Sequence, residues 1–282
     1  MKVFVVDMPR MIPTPSELFR QLKGSKNFFL IAGPCVIEDI SLCLEIARHL
    51  KKICHKLNIT YVFKASFDKA NRSSGKTYRG PGFEQGLETL AKIRQDMQLP
   101  VLSDVHTEQQ ACEAGRTLDI LQIPAFLCRQ TDLLLTAANT KKIINVKKGQ
   151  FLSPNDMKNV VTKIHEAGNK KLILTERGSS FGYNNLVADM RSIPIMKQFK
   201  CPVVFDATHS VQLPGGQGDK SGGQGEFAPT LARAAMAAGT DGLFVETHPN
   251  PSKSPSDGPN MVPLSEINRL LTTLSKIKAA LK

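Results

Sequence analysis

The 282-residue chain has no tryptophan and only three tyrosines. Aromatic platforms for stacking single-stranded nucleic acid are therefore scarce. Six cysteines stand singly at 35, 43, 54, 112, 128 and 201, with no CxxC pair. Zinc ribbons and thioredoxin-type motifs are excluded, and reduced thiols are the economical expectation. No stretch approaches the roughly 18 apolar residues of a membrane span. The longest, 28–37, is interrupted by Gly33 and Pro34. The apolar run at 3–6 is too short for a secretory h-region, so a cytoplasmic protein is expected. Also missing is any block of five basic residues, although the net charge is +12 from 37 basic and 25 acidic residues. The lysines come as scattered doublets such as Lys51–Lys52 and Lys170–Lys171. A basic nucleic-acid-binding protein rests on net charge alone and predicts steep salt dependence. Small anionic substrates suit the dispersed charge better, and no membrane partner is expected.

Hydrophobic residues, at 41%, are sufficient for a sizeable core. They are ordered as short β-rich runs at 28–32, 60–64, 101–104, 120–123, 143–146, 172–175, 203–206 and 243–246. Between these runs apolar residues recur three and four apart, as in Ile40, Cys43, Ala47, Leu50 and Cys54, or from Leu264 to Leu281. Ser153-Pro154 opens one helix, and Gly115, Gly168 and Gly239 close others. Eight strand–helix units in about 255 residues predict an α/β fold, a closed (β/α)8 TIM barrel. A doubly wound sheet competes but rarely needs eight regular units. No Pro-, Ser- or Gly-rich linker divides the chain, so residues 1–282 read as a single barrel domain. Its short N-terminal extension, 1–26, is expected to cover the barrel bottom as a small strand pair.

Active sites of such barrels lie at the C-terminal strand ends. All eight ends here are polar: Cys35; Lys64 through Ser74; Asp104 and His106; Gln122 and Arg129; Asn145, Lys147 and Lys148; Thr175, Glu176 and Arg177; Asp206 and His209; Glu246 and His248. Each would cost stability unless paired. Lys64, Lys69, Arg72, Arg129, Lys147 and Arg177 form a cationic set suited to phosphates and carboxylates. Six cations exceed the needs of one phosphate and suggest two anionic substrates or one bis-anionic substrate. The competing expectation is that some pair with Asp68, Asp104 and Glu176 as structural salt bridges. Cys35, His209, Glu246 and Asp257, with His106 and His248 as competitors, could bind a borderline divalent ion such as Zn²⁺, Fe²⁺ or Mn²⁺. A lone cysteine after a strand is more often a small buried hydrophobe. The loop 214–226, PGGQGDKSGGQGE, fails as a Walker A motif because Asp219 separates Gly218 from Lys220. Gly223, Gly225 and Ala228 mimic a dinucleotide fingerprint without the strand it requires. A lid over the mouth and a plain loop are the two readings left.

The strand-end strings KASFDKANRSS (64–74), QIPAFLCRQTDLL (122–134), NVKKGQF (145–151), TERGSSFGYNNLVADMR (175–191), FDATHSVQLPGG (205–216) and ETHPNP (246–251) resemble the 3-deoxy-D-manno-octulosonate 8-phosphate synthase family. The likeness runs from about residue 27 to the C-terminus. It implies a barrel transferase, usually a homotetramer, that condenses phosphoenolpyruvate with D-arabinose 5-phosphate and water, for Kdo and lipopolysaccharide biosynthesis. It further implies that Lys147 and Arg177 hold the phosphoenolpyruvate phosphate, while Lys69 and Gln122 hold or polarise its carboxylate end. Asn71, Arg72 and Ser73 would bind the sugar phosphate, with Arg129 serving a phosphate in the same or a neighbouring subunit. Lys64 and Asp104 would lie near the reacting atoms. Cys35 stands where a metal-independent class has asparagine, so the likeness is to the metal-dependent class. It selects Cys35, His209, Glu246 and Asp257 as ligands of a divalent ion. Asp257-Gly258-Pro259 also occurs in the metal-independent class, so Cys35 carries the assignment. The nearest rival, 3-deoxyheptulosonate 7-phosphate synthase, uses erythrose 4-phosphate. Its second-strand motif reads Lys-Pro-Arg-Thr/Ser, against Lys69-Ala-Asn71-Arg72-Ser73 here.

Overall fold

In a computed structural model that describes residues 12–71, 77–215 and 222–281, eight parallel strands form the central sheet. They are β1 (Phe29–Gly33), β2 (Thr60–Lys64), β3 (Val101–Asp104), β4 (Ile120–Ile123), β5 (Ile143–Lys147), β6 (Leu172–Glu176), β7 (Val203–Asp206) and β8 (Gly242–His248). Neighbours in sequence pair in order, and β1 pairs with β8. That last ladder closes the barrel and rules out the doubly wound sheet. Expected and observed strands agree, apart from a one-residue shift of β1, extensions at the C-terminal ends of β5 and β6, and an extension of β8 at both ends.

Helices alternate with the strands: α2 (Ile40–Lys56), α3 (Phe83–Met97), α4 (Glu108–Ala114), α5 (Thr131–Asn139), α6 (Met157–Glu166), α7 (Ser192–Lys197), α8 (Ala228–Ala237) and α9 (Ile267–Ala280). In α2 the periodic residues Cys43, Ala47, Leu50 and Cys54 are buried together with Ile46 and Ile53, as a 3.6-residue period requires. Gly168 and Gly239 follow α6 and α8 with φ of 76° and 92°, the left-handed geometry of a helix stop. Among the described residues no helix is long and apolar enough to cross a membrane.

The expected N-terminal strand pair is not found among the described residues. Helix α1 (Pro15–Lys23) stands there instead, and residues 1–11 lie outside the described residues. Its start is written in the sequence. Thr14 and Glu17 form a reciprocal capping box, with Pro15 in the first turn. Leu18 and Leu22 reach the barrel interior, where they join Phe29, Ile31, Val62, Leu102, Ile120, Ile143, Ile173, Val204 and Phe244. The helix thus plugs the bottom of the barrel. Leu22→Ala should lower stability by about 2–4 kcal/mol, seen as a lower urea midpoint with kcat preserved. An unchanged midpoint would show that α1 contributes no packing.

These inward residues establish the register of the interior. Side chains alternate faces along a strand, so the inward positions recur at every second residue toward the C-terminal end. Val62 is followed by Lys64, Leu102 by Asp104, Ile120 by Gln122, Ile143 by Asn145 and Lys147, and Ile173 by Thr175 and Arg177. Val204 is followed by Asp206, and Phe244 by Glu246. An apolar lower layer gives way to a polar upper one. At the end of β1 the same step brings Gly33 to within backbone distance of Lys64: a Cβ on Gly33 would lie 2.0 Å from the Lys64 carbonyl oxygen. Only glycine permits that approach.

Candidate active site

The polar layer forms the floor of a cavity of about 860 Å³ at the C-terminal face. Lys69, Asn71, Asp104, Lys147, Arg177, His209, Glu246 and Asp257 line it. Loop residues Phe126, Pro214 and Pro259 contribute to its walls.

Charges alternate across this floor. Lys64, at 1% exposure, forms an ion pair with Glu246 and donates to the Cys35 carbonyl at 2.8 Å. Lys69 Nζ lies 3.6 Å from Glu246 Oε1. Lys147 Nζ donates to Asp206 Oδ2 at 2.7 Å and sits 3.9 Å above the Phe244 ring. Burial pushes the Glu246 carboxyl up, but Lys64, Lys69, His209 and Lys147 outweigh it and hold the group well below the usual carboxylate range. Burial likewise acts against the charged forms of Asp104 and Asp206. Lys64, Lys69 and Lys147 overcome it at Asp104, as His209 and Lys147 do at Asp206, and both carboxyls are held below their ordinary range. At Lys69 burial lowers the pKa, but the facing Cys35, Glu246, Asp104 and Asp257 raise it well above the usual lysine value. The structural salt bridges differ from those expected. Asp68 pairs with Arg79, and Glu176 lies 3.7 Å from Lys148. Lys64 and Lys69 instead pair with Glu246, and Lys147 with Asp206, two strand-end carboxylates on the inward register.

Arg177 is 4% exposed. Its Nη2 donates to Gln212 Oε1 at 2.9 Å, while Nη1 is buried with no hydrogen-bond partner among the described residues. Burial lowers its pKa against the pull of Asp206, Asp257, Glu176 and Glu246. A guanidinium with an open donor on a cavity wall is suited to an anion.

Cys35 Sγ, a Glu246 oxygen and an Asp257 oxygen lie within 4.8 Å of one another. The Cys35 sulfur is also 3.2 Å from Asp257 Oδ2 and 2.7 Å from Ser256 Oγ. Burial, followed by the field of Glu246, pushes its thiol pKa up. His209 stands just outside that group of three. Asp206 Oδ2 is 2.8 Å from its Nδ1, and Glu246 Oε2 is 3.7 Å from its Nε2. An ionised carboxylate can only accept, so Nδ1 donates to Asp206 and Nε2 is the nitrogen turned toward Glu246. The competing histidines have other partners: His106 Nδ1 is 3.2 Å from Gln110, and His248 lies 3.5 Å from Glu38.

The expected residues Gln122 and Arg129 do not line the cavity. Gln122 is fully buried, one layer beneath the cavity wall, with both ends of its amide engaged. Arg129 is exposed beside a separate groove with Leu152, Val160 and Lys163. Arg72 and Ser73 lie outside the described residues, as do 216–221 of the expected lid. In the described part of that loop, Gly223 pairs with Gln212 in an antiparallel ribbon, which is not the strand–turn–helix of a dinucleotide fingerprint. Sequence reading left out Asp206, Gln212 and Ser256 as site residues. Only for Asp206 was there a signal, its inward place two residues after Val204.

A closed barrel with a buried, charge-alternating polar floor and open cationic donors defines an enzyme of the (β/α)8 class that acts on anionic substrates. The sequence profile of the DAHP synthetase I family matches residues 12–282. A protein from Desulfotalea psychrophila named 2-dehydro-3-deoxyphosphooctonate aldolase is 58% identical over 262 residues, 93% of this chain and 94% of that one. Proteins of the same name from Trichlorobacter lovleyi and Geobacter metallireducens are 55% and 58% identical over 262 residues, each covering 93% of this chain and 96% of the relative. The chain belongs to the DAHP synthetase I family, on the branch whose members carry the octonate name.

Proposed function

We propose that this chain condenses phosphoenolpyruvate with D-arabinose 5-phosphate and water, giving 3-deoxy-D-manno-octulosonate 8-phosphate and phosphate, in Kdo and lipopolysaccharide biosynthesis. The observation that carries this reading is the buried Arg177 donor left open beside Lys147 on a cavity rich in cations. The seven-carbon alternative shares the family, but the octonate-named relatives match over almost the whole chain.

Lys147 and Arg177 hold the enol phosphate, and Lys69 faces the carboxylate. Asn71, Arg72 and Ser73 receive the sugar phosphate. C3 of phosphoenolpyruvate attacks the aldehyde carbon and forms the new C–C bond. The aldehyde oxygen takes up a proton as its charge develops beside Lys64 and Lys69. Water adds to C2 with loss of a proton, and phosphate departs by C–O cleavage. Arg129, outside the cavity of its own chain, serves a phosphate in a neighbouring subunit of a homotetramer. The enzyme works in the cytoplasm.

Cys35, His209, Glu246 and Asp257 suit a divalent ion such as Zn²⁺, Fe²⁺ or Mn²⁺. A buried sulfur converges with two carboxylates, and the His209 Nε2 is turned toward one of them with its other nitrogen held by Asp206. When bound, the ion supplies Lewis acidity that orients the aldehyde or a water and lowers the water's pKa.

The test is phosphate release from phosphoenolpyruvate on adding each aldose. Arabinose 5-phosphate should be preferred by at least about a hundredfold in kcat/KM. Preference for erythrose 4-phosphate would reverse the assignment.

A further inference from the structure

Four uncharged side chains stand on the inward register. They are Ser66, Gln122, Asn145 and Thr175, all fully buried. With Asp104 they form one continuous hydrogen-bonded chain across the ends of β2 to β6. Thr175 Oγ1 donates to Asn145 Oδ1 at 2.7 Å. Asn145 Nδ2 donates to Gln122 Oε1 at 2.7 Å. Gln122 Nε2 donates to Asp104 Oδ1 at 2.7 Å, and Ser66 Oγ donates to Asp104 Oδ2 at 2.7 Å. Of these five residues, Asp104 alone lines the cavity.

Direction is the informative feature. A threonine hydroxyl can donate or accept, and an amide can be turned either way. Here every donor points toward the carboxylate, so each bond polarises the next. Asn145 claims the Gln122 carbonyl, which leaves the Gln122 amide nitrogen to face Asp104. Without Asn145, the Gln122 amide could turn and set an oxygen against a carboxylate. Both Asp104 oxygens are then held by neutral donors. The carboxylate is fixed in place and does not swing onto Lys69 or Lys147, the cations the substrates need.

We propose that Asn145 and Thr175 are positioning residues, which act through Gln122 to hold Asp104 in its working orientation and so keep the neighbouring lysines open to phosphoenolpyruvate. This rests on the reading of the site given above and adds to it two residues that touch no substrate.

Thr175→Val keeps the shape and removes only the donor. It should raise KM for phosphoenolpyruvate about tenfold, with kcat changed less than about twofold and KM for arabinose 5-phosphate unmoved. Thr175→Ser restores the hydroxyl and should return KM to the parent value. Asn145→Ala combined with Gln122→Ala should be no worse than Gln122→Ala alone, because the first acts only through the second. Full additivity in that double variant, or a Thr175→Val enzyme with parental KM and only a lower melting temperature, would make the chain a packing device and overturn the proposal. If Asp104→Asn left turnover intact, the underlying assignment of the site would fail instead.

Discussion

Cys35→Ala protein should purify without a bound divalent metal and turn over about a hundredfold to a thousandfold more slowly than the parent. The reason lies in what surrounds the sulfur. It is fully buried, with Asp257 Oδ2 at 3.2 Å and a Glu246 oxygen within 4.8 Å. Burial and these acids disfavour the thiolate, so binding of the proposed ion would have to release the thiol proton. Removing the sulfur leaves two carboxylates and an imidazole, a harder and less complete donor set. Elemental analysis of the purified variant, with turnover measured before and after added Zn²⁺, Fe²⁺ and Mn²⁺, makes the check. Cys43, equally buried but in the core beneath α2, provides the control. Cys43→Ala should lose some stability and keep both metal and activity. A metal-free parent enzyme with full turnover would remove the ion from the chemistry.

The barrel was legible because period-two and period-3.6 patterns alternate without interruption, and strand ends carry their own polar markers. The inward register was legible too, for anyone stepping by two from Ile143 to Asn145 to Lys147, or from Ile173 to Thr175 to Arg177. Charge drew attention to the last residue of each series and away from the middle one. That is why Asn145 and Thr175 went unassigned, while the Gln122 role came only from the family resemblance. Over 15–23 a helix stands where a strand pair was expected, and the capping box at Thr14 and Glu17 was the local signal that could have shown it. Other features lay beyond sequence reasoning. Ser256 meets Cys35 across 221 residues, through closure of β8 onto β1. The choice of Asp206 and Glu246 as the lysines' partners depends on how strand ends converge in space, which no local spacing encodes.

Arg177→Ala should lower kcat/KM for phosphoenolpyruvate about a thousandfold, while the folded protein keeps or gains stability. These opposite signs follow from one arrangement. In the empty cavity the guanidinium is buried, bonded to Gln212 through Nη2, and left with an open Nη1. Burial outweighs the attraction of four carboxylates, and its pKa falls below the ordinary arginine value. A base whose folded pKa is lowered is one whose charged form the fold disfavours. Arginine at this position therefore costs stability until an anion occupies the site. Added inorganic phosphate or phosphoenolpyruvate should raise the melting temperature of the parent by mass action and should do so far less for the alanine variant. Arg177→Lys should fall between, about tenfold to a hundredfold below the parent, since a lysine retains a charge without the planar fork. Thermal melts with and without phosphate, run beside steady-state kinetics, separate the two effects. An alanine variant that melts markedly earlier while retaining its kcat/KM would identify Arg177 as a structural cation and leave the phosphate to Lys147.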